Sequence, residues 1–306
     1  STNGWLGPDD YKPGAGNSYW SAWNVLASLL QYADAHAGEP IAQRCYAAVL
    51  AHMKTAYTRQ QATPLSSWSQ NRWQDWVLLL HWLLDAAPQG HEAMLLAAAE
   101  LTYKQRWDWA QYYRLDDERP PVEEPRAAGT AAGAAPTLPN ISVPAWTMYD
   151  HGVNNAQGTK WAAVWYRQSG DKRLLSYTRR ILDLQRRYHG QPHGMFAADE
   201  CFGGRELNRG IELCAIVEQL YSLQVAFRVT GELDLLDEIE RIALNALPEE
   251  DANTLRINTG QLLLAVLVYG EEFDAGRLAA FILIWIAVLT YSTDSFLASR
   301  SPSRDG

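Results

Sequence analysis

The stretch Trp165-Tyr166-Arg167-Gln168-Ser169-Gly170-Asp171 ends one apolar-periodic run and opens the next. The same arrangement, a glycine followed by a polar or acidic residue, recurs at Gly38-Glu39, Gly90-His91 and Gly231-Glu232. Glycine ends a helix in the left-handed conformation, and an acidic residue is favourable at the positive start of the following helix. Four such stops predict a chain built from repeated pairs of helices.

The predicted helices lie near residues 19–36, 40–58, 70–86, 91–113, 153–168, 172–188, 212–229 and 233–246. A Pro/Ala/Gly-rich insertion at about 119–140 lengthens one interval; without it, the repeat is roughly fifty to sixty residues, as in stacked α-hairpins. The sequence therefore predicts an all-α fold. It favours an incomplete α/α toroid of the (α/α)6-barrel type and leaves a straight solenoid open. Trp20, Trp23, Ala27 and Leu30 share one stripe of the first helix, which predicts a buried face.

The last fifty residues differ in composition from the rest of the chain. We expect one large helical domain over residues 1–250 and an atypical apolar tail over 251–306. The tail contains a charge-free run of fourteen residues, 278–291. A membrane span needs about twenty residues. A buried helix is therefore favoured over a membrane anchor.

Composition narrows the class of partner. The 306 residues carry a net charge of -9, which argues against a nucleic acid or an anionic membrane as partner. A neutral ligand fits better. Thirteen Trp and fifteen Tyr residues suit the stacked faces of sugar rings, although aromatic side chains also fill seams between helices. Oligomeric state is not indicated.

The three cysteines, Cys45, Cys201 and Cys214, are too few and too irregularly spaced for a disulfide framework or a CxxC site. We expect reduced thiols. Together with the lack of a recognisable leader at the start of the sequence, this favours a cytoplasmic location.

Four residues between positions 151 and 214 form a candidate site. Glu212 and Cys214 stand two apart at a predicted helix start, where both can turn toward one cation. Glu200, in the glycine-rich loop before them, can donate a proton, and His151 opens a polar segment upstream. The simpler interpretations are a helix-start charge for Glu212, a core thiol for Cys214 and a pairing of His151 with Asp150.

Several segments carry a resemblance to a known family: His151-Gly152-Val153-Asn154-Asn155-Ala156, Trp165-Tyr166-Arg167-Gln168-Ser169-Gly170-Asp171, Gly194-Met195-Phe196, Asp199-Glu200, Glu212-Leu213-Cys214-Ala215 and Glu240-Arg241-Ile242-Ala243-Leu244-Asn245-Ala246. As a set they resemble glycoside hydrolase family 127, the β-L-arabinofuranosidase group. The similarity covers roughly residues 149–248 and, more loosely, the Trp-rich N-terminal helices. Members of this family have an (α/α)6 barrel followed by β-sandwich domains. The resemblance thus implies that residues 1–250 are the catalytic-type barrel domain, and we expect no β-sandwich in the tail over 251–306.

The resemblance implies a role for each candidate residue. Glu212 and Cys214 correspond to zinc ligands, Glu200 to the general acid/base and His151 to a residue lining the sugar pocket. The family takes its nucleophile and a further zinc ligand from a Cys-Cys pair downstream, whereas no cysteine follows Cys214 here. We therefore expect half a zinc site, no nucleophile and little glycosidase activity, as in a gene product truncated or frame-altered after about Pro248.

The leading hypothesis is a glycoside hydrolase that removes terminal sugar residues with retention of configuration through a zinc-bound cysteine. One alternative is another α/α-toroid carbohydrate enzyme, of the unsaturated glucuronyl hydrolase or sugar epimerase type. Another is a non-catalytic carbohydrate-binding or scaffold remnant. All three predict a carbohydrate partner.

Overall fold

A computed structural model describes residues 3–6, 19–116, 148–198, 200–205 and 210–247. In this part of the chain the fold is helical and contains no β-strand, as the sequence predicts. The helices are α1 (Trp20–Ala35), α2 (Pro40–Ala62), α3 (Ser67–Asn71), α4 (Trp73–Ala86), α5 (Glu92–Lys104), α6 (Trp109–Tyr112), α7 (Gly152–Gly158), α8 (Trp161–Ser169), the 3-10 helix Lys172–Ser176, α9 (Tyr177–His189) and α10 (Leu213–Thr230). A last helix, α11, covers 234–247, where the described residues end.

The four predicted glycine stops are confirmed. Gly38, Gly90, Gly170 and Gly231 have φ values of +90°, +74°, +68° and +71°, in the left-handed region where a side chain is unfavourable. Each glycine joins the two helices of a pair or leads from one element directly to the next. The hairpin pattern was therefore readable from these positions alone.

Contacts between the helices run along a row. α1 packs on α2 and α4, α4 on α5 and α8, and α8 on α10, while α2 and α5 also pack together. The ring centroids of Trp23 in α1 and Tyr221 in α10 are 6.1 Å apart, so these two helices also meet. Residues of α1, α4 and α10 line the cavity described below.

Two predicted helices, 70–86 and 91–113, are each broken in the structure. The carbonyl of Gln70 accepts a hydrogen bond from the backbone N–H of Trp107 (2.9 Å), and that of Asn71 accepts one from the Trp109 indole (3.2 Å). These carbonyls are thus engaged outside the helical ladder, which is interrupted at Arg72. The donors of both bonds, Trp107 and Trp109, lie at or just after residues 105–108, where the second predicted helix is broken. Long-range bonds of this kind leave no periodic signal in the sequence.

The predicted helix 153–168 is also divided, because α7 ends at Gly158 and α8 starts at Trp161. The predicted burial of the α1 stripe is wrong for its first turn. Ala27 and Leu30 are buried, but Trp20 is 39% exposed and, with Trp23, lines the cavity. Trp20 therefore faces the cavity, while Trp23 borders the cavity and also packs against the core.

Two sequence predictions, the insertion at 119–140 and the tail at 251–306, lie outside the described residues. Among the helices that are described, none combines the length and apolar character needed to cross a membrane.

Candidate functional site

A cavity of about 500 Å³ is lined by residues of α1, α3, α4, α7 and α10 and by the loop at Glu200. Its walls carry aromatic side chains from α1, α3 and α4 and carboxylates from four separate places in the chain. The aromatic lining consists of Tyr19, Trp20, Trp23, Trp68 and Trp76; the ionisable and thiol groups are Arg72, Asp75, His151, Glu200, Glu212, Cys214 and Glu218. All four residues singled out from the sequence therefore line one cavity. His151, Glu200, Glu212 and Cys214 are called the loop cluster below.

Backbone pairing places Glu200 beside His151. The N–H of Gly152 donates to the Glu200 carbonyl (2.7 Å), and Phe202 N–H donates to the Asp150 carbonyl (2.9 Å). A Cβ on Gly152 would lie 2.4 Å from the Cβ of Ala198, so only glycine permits this approach. The glycine of the His-Gly-Val motif thus brings the acidic loop against the start of α7.

Ala198 links the same loop to Glu212. Its N–H donates to the Gly210 carbonyl and its carbonyl accepts from Glu212 N–H, both at 3.0 Å. Glu212 then caps α10, its carbonyl accepting from the N–H groups of Ala215 and Ile216. The bridges that Ala198 forms with Phe202 and Ile211 are isolated and do not extend into strands.

His151 is buried and caps the start of α7. Its Nδ1 accepts the backbone N–H of Asn154 at 3.3 Å, while Nε2 lies 3.4 Å from Glu200 Oε2. Burial lowers the pKa of His151, and the positive charge of Arg72 acts in the same direction. The ring is therefore neutral at pH 7, and with Nδ1 acting as acceptor its proton is on Nε2. His151 consequently presents a donor to Glu200.

Glu212 and Cys214 lie side by side. The Cys214 thiol donates a hydrogen bond to Glu212 Oε1 at 3.0 Å, and Glu212 Oε2 is buried with no hydrogen-bond partner among the described residues. Burial raises the pKa of Cys214 to about 12, and the bond to Glu212 adds to this shift. Burial likewise raises the pKa of Glu212, against the effect of the thiol bond. The thiol is therefore protonated at neutral pH.

These residues fit part of a zinc site. Thiolate sulfur and carboxylate oxygen are both zinc ligands, and the uncompensated oxygen of Glu212 lies next to the sulfur. Oxygen or nitrogen atoms of His151, Glu200 and Glu212 also lie within 4.8 Å of one another. His151, however, has its Nδ1 engaged by the Asn154 N–H and its proton on Nε2, so its lone pairs do not face a cation. Within the described residues, Glu212 and Cys214 are therefore the adjacent pair that fits a zinc ion, with Glu200 and His151 nearby.

Arg72 is a central residue that the sequence did not reveal. Its guanidinium carbon lies 4.6 Å from the Trp68 ring centroid and 4.9 Å from that of Trp20, and its Nε donates to Asn154 Oδ1 at 2.8 Å. Burial lowers the pKa of Arg72, against the raising effect of the surrounding carboxylates. Arg72 therefore stiffens the aromatic wall and balances part of the negative charge.

A second group, here called the buried cluster, consists of Asp75, Lys160 and Glu218. Lys160 has no exposed side-chain area, and its Nζ lies 2.8 Å from Asp75 Oδ1 and 3.9 Å from Glu218 Oε2. Asp75 and Glu218 both line the cavity. The sequence did contain a signal for this cluster, because a charged residue inside an apolar helical run is rarely buried without a partner. It did not indicate which residues pair.

Comparisons of this chain with protein-family models, with curated proteins and with solved structures found no match. The assignment of a function rests on the geometry and chemistry of the cavity.

Proposed function

We propose that this protein binds a neutral terminal sugar in the cavity and is a glycoside hydrolase of the β-L-arabinofuranosidase type. The observation that carries the proposal is the meeting of Glu200, Glu212 and His151 within 4.8 Å in a Trp-lined cavity. Paired carboxylates beside flat aromatic faces are typical of sites that cleave glycosidic bonds. In the same proposal, the described hairpins are part of an α/α toroid.

In the proposed reaction, Glu200 donates a proton to the leaving oxygen. Its side chain is 64% exposed, so it can reach a bound substrate. The Nε2 proton of His151 points toward Glu200 Oε2 and steadies the carboxylate after it has given up its proton. Glu212 and Cys214 would hold a zinc ion, which when bound keeps a thiolate deprotonated.

The charge of the cavity supports a neutral substrate. Four carboxylates reach it, from Asp75, Glu200, Glu212 and Glu218. Arg72, the cationic side chain among the lining residues, is already held by Asn154 and two Trp rings. A sugar carboxylate would thus meet like charges, which disfavours the unsaturated glucuronyl hydrolase alternative.

The distance between Glu200 and Glu212 also supports a route without a cysteine. Retaining glycosidases place their two carboxyl groups about 5 to 5.5 Å apart, one as acid/base and one as nucleophile. The nearest oxygens of this pair, within 4.8 Å, are compatible with that arrangement. Glu212 is accordingly a second candidate for the group that attacks the sugar.

The test is an assay of the full chain on an aryl β-L-arabinofuranoside, with and without added zinc, beside Glu200→Gln, Glu212→Gln and Cys214→Ser. We expect sugar binding in all arms and slow hydrolysis that Glu200→Gln abolishes. Loss of turnover in Cys214→Ser, with zinc stimulating the wild type, would support the zinc route, and loss only in the two Glu variants would support the carboxylate pair. Binding without turnover in the wild type would favour the non-catalytic alternative. Absence of sugar binding would refute the proposal.

A further inference from the structure

The buried cluster is organised around the ammonium group of Lys160. Besides Asp75 Oδ1 at 2.8 Å, this group contacts Ser222 Oγ at 3.3 Å and faces the ring of Tyr221, 5.1 Å from its centroid. Glu218 Oε2, at 3.9 Å, is too distant for a hydrogen bond. Lys160 is therefore committed to Asp75 and Ser222, while Glu218 is held near it by charge alone.

Hydrogen-bond acceptors remain without donors in this cluster. Asp75 Oδ2 and Glu218 Oε2 are buried, and neither has a hydrogen-bond partner among the described residues. Asp75 is almost wholly enclosed, whereas the Glu218 side chain is 20% exposed and lines the cavity. An enclosed carboxylate without donors is unfavourable unless a ligand supplies them. Glu218 is the member of the cluster that a ligand can reach.

Glu218 also lies close to the loop cluster, within reach of a ligand bound there. It lies four residues after Cys214 in α10, so the two side chains are neighbours on one face of the helix, with Cβ atoms about 5 to 6 Å apart. Both line the same cavity. This separation is similar to the width of a pentose ring, and one sugar bound at Glu200 and Glu212 can therefore also touch Glu218.

We infer that Glu218, positioned by the buried Lys160–Asp75 pair, is a binding residue that accepts hydrogen bonds from adjacent free hydroxyl groups of the sugar. This inference rests on the proposed function and adds a determinant of specificity to it. An ionised carboxylate only accepts hydrogen bonds, and each of its oxygens has two lone pairs, so a single oxygen on the cavity side can take two hydroxyl donors. A site built to bond a hydroxyl strongly disfavours the analogue that lacks it, because its polar group is then left unpaired. Glu218 should thus select fully hydroxylated sugars over deoxy sugars.

The experiment is isothermal titration of the full chain with methyl β-L-arabinofuranoside and with its 2-deoxy and 3-deoxy analogues. The variant is Glu218→Gln, and the matched control is Glu240→Gln, an exposed position on α11. For the wild type and the control we expect one deoxy analogue to bind about ten- to a hundred-fold more weakly than the parent sugar, the range for a hydrogen bond to a charged group. Glu218→Gln should weaken the parent sugar by a similar factor and hardly change the affinity for that analogue.

Three results would overturn the inference. Equal binding of all three sugars by the wild type would overturn it. This result does not depend on whether Glu218→Gln folds. An unchanged affinity of Glu218→Gln for the parent sugar, or an equal loss for every sugar, would remove the specific role of Glu218 and leave the proposed function intact. If the wild type bound none of the sugars, the inference and the proposed function would both fail.

Discussion

The loop cluster and the buried cluster line the same cavity but are built in opposite ways. Residues of the loop cluster come from one segment, 151–214, and main-chain hydrogen bonds between loops set their positions. Residues of the buried cluster come from three separate places in the chain, and contacts between side chains hold them. The first arrangement can be read from local sequence, and the second exists only after the helices have packed. Changes in the loop cluster should therefore alter chemistry, and loss of the buried Lys160–Asp75 pair should alter stability.

The largest effect is expected for Lys160→Met. Removal of one partner from a buried ion pair typically costs about 3 to 5 kcal/mol, because the remaining charge is left enclosed. Here two carboxylates, Asp75 and Glu218, would lose their shared cation. Urea unfolding at pH 7 should show this loss, with Lys172→Met, at an exposed position, as the control.

The same variant has a characteristic pH dependence. Burial raises the pKa of Asp75, against the opposing effect of Lys160. Without Lys160 the Asp75 pKa should rise further, so the loss of stability should shrink as the pH falls and the carboxyl gains a proton. A deficit that stays constant between pH 7 and pH 5 would argue against the electrostatic origin.

Gly152→Ala should have the next largest effect and should break the loop cluster. The new Cβ would lie 2.4 Å from Ala198 Cβ. Overpacking of this kind costs about 1 to 3 kcal/mol. Thermal unfolding should show the loss, and the Glu200 loop should move away from α7. The double variant Gly152→Ala/Ala198→Gly exchanges the two side chains across the contact and should recover most of the stability; no recovery would mean that the contact is not the cause.

His189 should make the loop sensitive to acid. It stacks on Phe202, and its Nδ1 accepts the N–H of Gly204 at 3.1 Å. Burial lowers the pKa of His189 to about 3. The unfolded chain thus binds the proton first, and stability should fall as the pH drops from about 6.5 toward 3.

The variant His189→Asn tests this acid sensitivity. Asparagine keeps an acceptor for Gly204 but cannot take up the proton. The variant should be less stable at pH 7, because the side chain is smaller, yet between pH 6 and pH 5 it should lose about 1 kcal/mol less than the wild type. Parallel stability curves for the two proteins would contradict the assignment.

The smallest effect is on thiol reactivity. The bond to Glu212 contributes, after burial, to the raised pKa of Cys214. Glu212→Gln should therefore increase the rate at which iodoacetamide modifies Cys214 at pH 8.5, by up to about ten-fold for each unit by which the pKa falls. Mass spectrometry of the Cys214 peptide measures the rate, and Glu240→Gln serves as control. An unchanged rate would show that burial alone protects the thiol.

Sequence patterns predicted the parts of the fold that depend on local conformation. Gly170 and Gly231 end helices because a left-handed residue is required there, and this requirement is visible in the sequence. The break at Arg72 was not predictable, because its cause is bonding of Gln70 and Asn71 to residues more than thirty positions later. Periodicity also placed Trp20 on the correct face of α1 without showing that this face borders a cavity.

The residues of the candidate site also fall into a group that the sequence predicted and a group that it did not. His151, Glu200, Glu212 and Cys214 were found from spacing and from family resemblance, and the structure brings them together. Asp75, Lys160 and Glu218 belong to no motif. Their pairing depends on the packing of the helices, which brings α4, α10 and the α7–α8 junction to one point. Such a cluster is accessible only from the three-dimensional arrangement.

The main-chain bonds made by Gly152, Ala198 and Glu212 have a consequence for how this site can change. They fix the backbone at positions 152, 198, 200 and 212 without using any side chain of the loop cluster. Positions 200 and 212 can therefore exchange one side chain for another while the backbone beneath them stays in place. The backbone that positions the site is thus independent of the side chains that would react. Such a site can be adapted to a new substrate by evolution or by design.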